Sequence, residues 1–250
     1  MTKIYQQMIQ DVPILEVTPD DSFHKQLPLV IFYHGWRSSK ELVLTQARKL
    51  AQKNIRVILP DAMNHGQRLA DISSIPSFTF WNSIQGNLTE YSMIRDYYMD
   101  KDLVKDNKIG VGGYSMGAMT TGVLLTNHPE ITAATIIMGT PNLAIYAKLV
   151  RIDAKHRGLY IPDDLDQLTS WINAYDLNQH PETIAHRPLL FWHGTDDYRI
   201  PYRQSKDFFD RIHTESYADQ VAFITGYKAG HLVEPRLMDK VANFFEYYLE

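Results

Sequence analysis

The segment Lys108-Ile109-Gly110-Val111-Gly112 runs straight into Gly113-Tyr114-Ser115-Met116-Gly117, and small residues follow (Ala118, Thr120, Thr121, Gly122). The pattern reads as a short β-branched strand, a turn too tight for ordinary residues, then a helix. A serine at such a strand-to-helix turn is held in a strained backbone conformation, with its hydroxyl lifted clear at the strand end. Glycines two before and two after it remove the Cβ atoms that would collide in the bend. A bare hydroxyl is a poor nucleophile near neutral pH, so the rest of the chain must supply a base, an acid and an oxyanion hole.

The flanking sequence alternates strands and helices. Residues 3–10 and 12–18 read as an opening antiparallel hairpin around Asp11-Val12-Pro13. Leu27 to Tyr33 is an unbroken apolar run, as expected of a strand buried on both faces of a parallel sheet. Ser38 with Glu41 fits a capping box, and apolar spacing predicts a helix over residues 39–53. Further strands are expected at Arg56–Leu59, Ile109–Gly112, Ile131–Met138, Pro188–Trp192 and Val221–Thr225. Helices are expected over residues 82–101, from the Ser115 turn to Asn127, over Pro201–His213 and from Pro235 to the end. This order implies one α/β domain over residues 1–250, with a mostly parallel central sheet flanked by helices on both faces. Residues 142–186 form a partly helical insertion that is a candidate lid.

Composition narrows the function. The net charge is −4 and no Lys/Arg-rich patch stands out, which speaks against nucleic acid or an anionic membrane as partner. There is no cysteine, which excludes disulfides, thiolate metal sites and a cysteine nucleophile. Neither a zinc-type H-E-x-x-H nor a Gly-rich phosphate loop is present, so no metal or cofactor is expected. The stretch Met1 to Val17 is broken by Gln6, Gln7, Gln10, Asp11 and Pro13, and no run approaches a membrane span. A cytoplasmic location is the expectation.

Catalytic groups in such sheets gather at the carboxyl ends of the strands. His231, in Ala229-Gly230-His231-Leu232, follows the last strand and precedes the last helix. It is the candidate base, because the order Ser…Asp…His is the one this turn requires. The acid falls in His193-Gly194-Thr195-Asp196-Asp197, where spacing alone leaves Asp196 and Asp197 open.

These pieces together resemble the α/β-hydrolase superfamily, and more closely the small bacterial esterases grouped with dienelactone hydrolases and the prolyl oligopeptidase catalytic domain. The matching segments are Tyr33-His34-Gly35-Trp36, Pro60-Asp61-Ala62 with His65-Gly66, Gly113 to Gly117, His193-Gly194-x-x-Asp197 followed by Ile200-Pro201, and Gly230-His231. The resemblance implies Asp197 as the acid, with Asp196 the lesser candidate. It implies an oxyanion hole from the backbone N–H groups of Trp36 and Met116. It implies bracing roles for His34, Asp61 and His65. Trp36, Trp81 and Met138 are expected to line the substrate pocket, with Phe78, Phe80, Met116 and Met119 as further apolar candidates.

The expected activity is hydrolysis of a small-molecule carboxylic ester through an acyl-enzyme. A peptidase, a thioesterase or acyltransferase with the same triad, and a non-catalytic binding protein are the alternatives. The expected partner is the small-molecule ester, and the sequence leaves homo-oligomerisation open.

Overall fold

The computed structural model describes residues 1–250. Eight strands form one sheet: β1 (Thr2–Ile9), β2 (Val12–Pro19), β3 (Leu27–Tyr33), β4 (Arg56–Pro60), β5 (Val104–Tyr114), β6 (Ala133–Ile137), β7 (Leu189–Gly194) and β8 (Val221–Gly226). Their spatial order is β1-β2-β4-β3-β5-β6-β7-β8. The opening hairpin pairs antiparallel, and β2 meets β4 antiparallel; every other pairing is parallel. Eight α-helices accompany the sheet: α1 (Leu44–Ala51), α2 (Phe78–Asp100), α3 (Met116–Asn127), α4 (Leu143–His156), α5 (Leu165–Leu168), α6 (Trp171–Ala174), α7 (Tyr202–Ile212) and α8 (Pro235–Leu249). None is long and apolar enough to cross a membrane.

The strand period of two divides the core. In β3, Leu29, Ile31 and Tyr33 join a cluster with Tyr91 and Tyr98 of α2, Leu124 of α3 and Phe208 of α7. Val30 and Phe32 point the other way, toward Leu50 of α1 and Val241 and Phe245 of α8. A strand packed on both faces can have no polar side, which is why residues 27–33 read as one apolar run.

Two sequence expectations change. The helix expected over residues 39–53 is a 3-10 turn (Lys40–Val43) followed by α1, and the Ser38–Glu41 capping box does not form. The Ser39 hydroxyl instead donates to Glu41 Oε2 at 2.6 Å. The cap comes from far along the chain: Asp61, just beyond β4, accepts from the Lys40 N–H at 3.0 Å and from Lys40 Nζ at 2.6 Å. The strand expected at Ile109–Gly112 begins earlier, at Val104, because Val104 pairs with Leu27 across a register shift in β3.

Lys40 and Asp61 are both fully buried, and Asp61 also accepts from the Gln67 N–H at 3.0 Å. Burial alone would push the Lys40 ammonium down, but its contacts to Asp61 and Glu41 outweigh this and hold it up. The carboxylate thereby ties the start of α1 to the loop after β4. His34 adds a second tie. Its Nε2 accepts from the Ala62 N–H at 3.1 Å, which places the proton on Nδ1, and Nδ1 donates to Gly35 O at 2.8 Å. The ring so links the loop after β3 to the loop after β4. Burial pushes this imidazole down to about 4.

Removing Asp61 leaves a buried ammonium without its partner. Asp61→Ala is expected to cost about 3–5 kcal/mol in urea unfolding, whereas a surface pair such as Arg157–Asp153 costs under about 1 kcal/mol. The neutral His34 sets a pH dependence. The unfolded imidazole takes up its proton near 6.5 and the folded one only near 4, so the stability is complete above 6.5 and lost as pH falls toward 4. The expected slope in that window is up to about 1.4 kcal/mol per pH unit from this group. His65, also pushed down by burial, adds to it. Unfolding midpoints measured between pH 4 and 7 should fall less steeply in His34→Gln than in the wild type.

Candidate active site

β5 ends at Tyr114 and α3 begins at Met116, so Ser115 is the whole connection. Its backbone lies at φ 56°, ψ −114°, a combination that side-chain-bearing residues avoid. Two close backbone approaches hold it there. A Cβ built on Gly113 would lie 2.4 Å from the Gly117 carbonyl carbon, and one on Gly117 would lie 2.2 Å from Tyr33 O. The Ser115 N–H donates to Ile137 O at 3.0 Å, which seats the turn against the end of β6.

His231 lies in the loop between β8 and α8. Its Nε2 is 2.9 Å from Ser115 Oγ, and its Nδ1 is 2.7 Å from Asp197 Oδ2. The carboxylate can only accept, so the His231 proton sits on Nδ1 and Nε2 is free to accept from the serine hydroxyl. Asp197 follows β7. Its Oδ1 accepts from the backbone N–H groups of Arg199 (2.9 Å) and Ile200 (3.0 Å), and its Oδ2 also faces His193 Nε2 at 3.1 Å. Burial pushes the Asp197 carboxyl up, but the hydrogen bonds from His193, His231 and Ile200 outweigh it and hold the group well below the usual carboxylate range. Asp196 is exposed and accepts from the Thr195 hydroxyl at 2.9 Å, away from both histidines. The structure therefore brings Ser115, His231 and Asp197 into one hydrogen-bonded chain and leaves Asp196 out.

The loop after β3 runs beside this chain. A Cβ on Gly35 would stand 3.5 Å from Ser115 Cβ, so the loop passes in van der Waals contact with the serine. The N–H groups of Trp36 and Met116 have no acceptor within the protein. Met116 is the first residue of α3, where helical N–H groups lack an intrahelical partner and favour negative charge.

Ser115 and His231 open into a cavity of about 620 Å³. Trp36 and Met138 line it. Trp81 does not. Neighbouring helical residues point about 100° apart. On α2 the Phe80 ring therefore faces the cavity and packs on Trp36 at 5.5 Å, while Trp81 is buried in the core beneath it. Met116 and Met119 are likewise core residues, and Phe78 lies off the wall. The sequence reading missed Tyr146 and Val150 of α4, Leu159 beyond it, and the loop Ile72–Ser77. The i, i+4 spacing of Tyr146 and Val150 is the one signal that marked a shared helix face. No group of three or more His, Asp or Glu side chains is placed to hold a metal ion.

YjfP of Escherichia coli (strain K12), named an esterase, is 28% identical over the full length of both chains. YitV of Bacillus subtilis (strain 168), named as a proposed esterase, is 33% identical, again over the full length of both. TT1662 from Thermus thermophilus shares the fold at a TM-score of 0.80 and 17% identity, covering 100% of this chain and 99% of that one. The Pyrococcus furiosus esterase Pf2001 does so at 0.67 and 18%, covering 100% and 94%. The fold is that of the α/β-hydrolases. The model of the prolyl oligopeptidase family matches residues 85–250, which contain Ser115, Asp197 and His231. On that match and the full-length kinship with YitV, the chain belongs to the prolyl oligopeptidase family.

Proposed function

We propose that this protein is a serine hydrolase that cleaves small carboxylic esters through an acyl-enzyme on Ser115. The observation that carries the reading is the hydrogen-bonded chain Ser115–His231–Asp197 opening into a largely apolar cavity. The relative named an esterase supports the substrate class.

In this reading His231 Nε2 takes the Ser115 proton as Oγ bonds to the ester carbonyl carbon. The carbonyl oxygen becomes an oxyanion held by the free N–H groups of Trp36 and Met116. Asp197 stays ionised and stabilises the imidazolium through the Nδ1–H bond. His231 then returns the proton to the leaving alkoxide as the carbon–oxygen bond breaks, which frees the alcohol and leaves Ser115 acylated. Water deprotonated by the same nitrogen attacks the acyl carbon, and the serine leaves with the proton. Trp36, Phe80 and Met138 form apolar wall for the acyl or alcohol part, and Tyr146 and Val150 bring the 142–186 insertion over the cavity as its cover.

A fluorophosphonate probe is expected to label the wild type at Ser115 and to leave Ser115→Ala unlabelled. A folded wild type that takes up no label refutes the proposal. Asp197→Asn should lower kcat by roughly 10³–10⁴, since the histidine is then held in the wrong tautomer. Asp196→Asn should stay within about threefold, as expected of an exposed residue outside the chain. Across matched substrates, short p-nitrophenyl esters should outpace a thioester and a proline-containing peptide anilide. Preference for the anilide would replace the esterase reading with a peptidase one.

A further inference from the structure

Beside the acid lies a buried imidazole that takes no part in the proposed proton transfers. His193, near the end of β7, has no exposed surface. Its Nε2 faces two acceptors, Asp197 Oδ2 at 3.1 Å and Ile200 O at 2.9 Å, so Nε2 carries a hydrogen and donates. Oδ2 is the oxygen that also accepts the hydrogen bond from His231 Nδ1–H. One carboxylate oxygen is thus shared by two imidazole donors, one facing the cavity and one facing the core.

The other side of the His193 ring is anchored as well. Its Nδ1 is 3.1 Å from Ser205 Oγ on α7, and Oγ is 2.6 Å from Gly139 O, so with Nδ1 unprotonated the one hydroxyl hydrogen serves one of these two acceptors at a time. Gly139 lies just past β6, where an added Cβ would be 3.0 Å from Ser115 O and 2.6 Å from Ala118 Cβ. A continuous polar path therefore runs from the acid, through His193 and Ser205, to the backbone packed behind the serine. It joins the loop after β7, helix α7 and the chain just past β6, beyond the last β6–β7 pair at Ile137 and Trp192.

We propose that His193 is a positioning residue for the reaction: it fixes Asp197 Oδ2 opposite His231, offsets part of the carboxylate charge, and ties the acid loop to the strand end behind Ser115. This rests on the serine-hydrolase reading for its catalytic meaning, while the hold on Asp197 is a structural claim in its own right. The offset has a direction. A carboxylate that loses one N–H donor presents more of its charge to His231 and favours the imidazolium. Removing the His193 donor must therefore move the His231 titration, and the acid limb of kcat/KM, to higher pH. The other titratable or charged groups near this pair are Tyr202 of α7, its ring 6.1 Å from that of His193 and its hydroxyl on Thr225 Oγ1, Tyr146 of α4, and Arg199, which lines the same cavity as His231. Burial, and then the Asp197 charge, push the Tyr146 phenol up, so it stays neutral through this window.

The test compares His193→Leu, His193→Gln and Ser205→Ala with the wild type. The glutamine amide nitrogen sits where Nε2 does and keeps a donor for Asp197. Steady-state kinetics are measured on a p-nitrophenyl ester, and the His231 ring is titrated by NMR. His193→Leu is expected to lower kcat by about ten- to a hundredfold, with KM changed by less than about threefold. The same substitution should raise the His231 midpoint by at least about half a pH unit, and His193→Gln should recover most of both. Ser205→Ala, which keeps the Asp197 contact and loosens only the anchor, should shift both in the same direction by less. A folded His193→Leu with unchanged kcat and unchanged His231 titration overturns the proposal. So does a loss of kcat with no titration shift, the mark of a merely structural role. If His193→Leu does not fold, Ser205→Ala decides on the same two readouts: an unshifted His231 and an unaltered kcat overturn the proposal. The titration needs no turnover, so a protein that hydrolyses no ester yet shows the shift overturns the assigned reaction and supports the hold on Asp197.

Discussion

The carboxyl edge of the sheet depends on one close crossing of backbones. Gly117, in the first turn of α3, lies so near Tyr33 O that a single Cβ would stand 2.2 Å from it. Tyr33 is the last residue of β3, and the loop His34-Gly35-Trp36 begins there. The crossing therefore sets two things together: the turn that lifts Ser115 and the loop whose Gly35 passes against it. The strained conformation of Ser115 costs on the order of 1–3 kcal/mol. It persists because α3 cannot back away. Every residue from Met116 to Leu125 is buried, so relaxing the turn would drag a whole helix out of the core.

Most of this frame is legible in the sequence, for a physical reason. Strands covered on both faces must be apolar throughout, so β3 and β7 stand out as unbroken runs between polar turns. What was not legible is where distant segments replace a local signal. Ser38 and Glu41 have the spacing of a capping box, yet the start of the helix is capped by Asp61, whose buried carboxylate also neutralises Lys40. A local hydroxyl is a weaker partner for that N–H than a buried anion held by three donors. The early start of β5 was hidden likewise. Lys105, Asp106 and Asn107 are exposed, polar and unpaired with β3, with Asp106 and Asn107 at positive φ, and only the Val104–Leu27 pair before them extends β5 past Ile109.

The candidate site divides along the same line. Ser115, Asp197 and His231 sit at strand ends, and the order of strand ends along the chain is readable from the alternation of elements. The cavity wall is not, because it depends on rotation about helix axes and on loops with no periodic signal. Trp81 and Phe80 are adjacent, equally aromatic and indistinguishable by composition; only the docking of α2 decides that Phe80 faces the cavity while Trp81 fills the core. Tyr146 belongs to an insertion whose packing against α2, through the Phe80 and Trp81 rings, is a tertiary fact.

Asp197 shows how a tight turn can choose between neighbours that spacing leaves equal. The chain after β7 folds back so that the N–H groups of Arg199 and Ile200 both point at Asp197 Oδ1. That contact forces the carboxylate plane, and Oδ2 then has one place to go, between the two imidazoles. The residue before it in the same turn faces water, so Asp196 could not reach His231 without unmaking the turn. The same donors settle the charge. Burial favours a neutral carboxyl, and the hydrogen bonds from His193, His231 and Ile200, with the charge interaction with His231, reverse that preference. An acid at this position without them would drift toward neutrality, and the Nδ1–H of His231 would face no charge at the moment the imidazole takes up a proton.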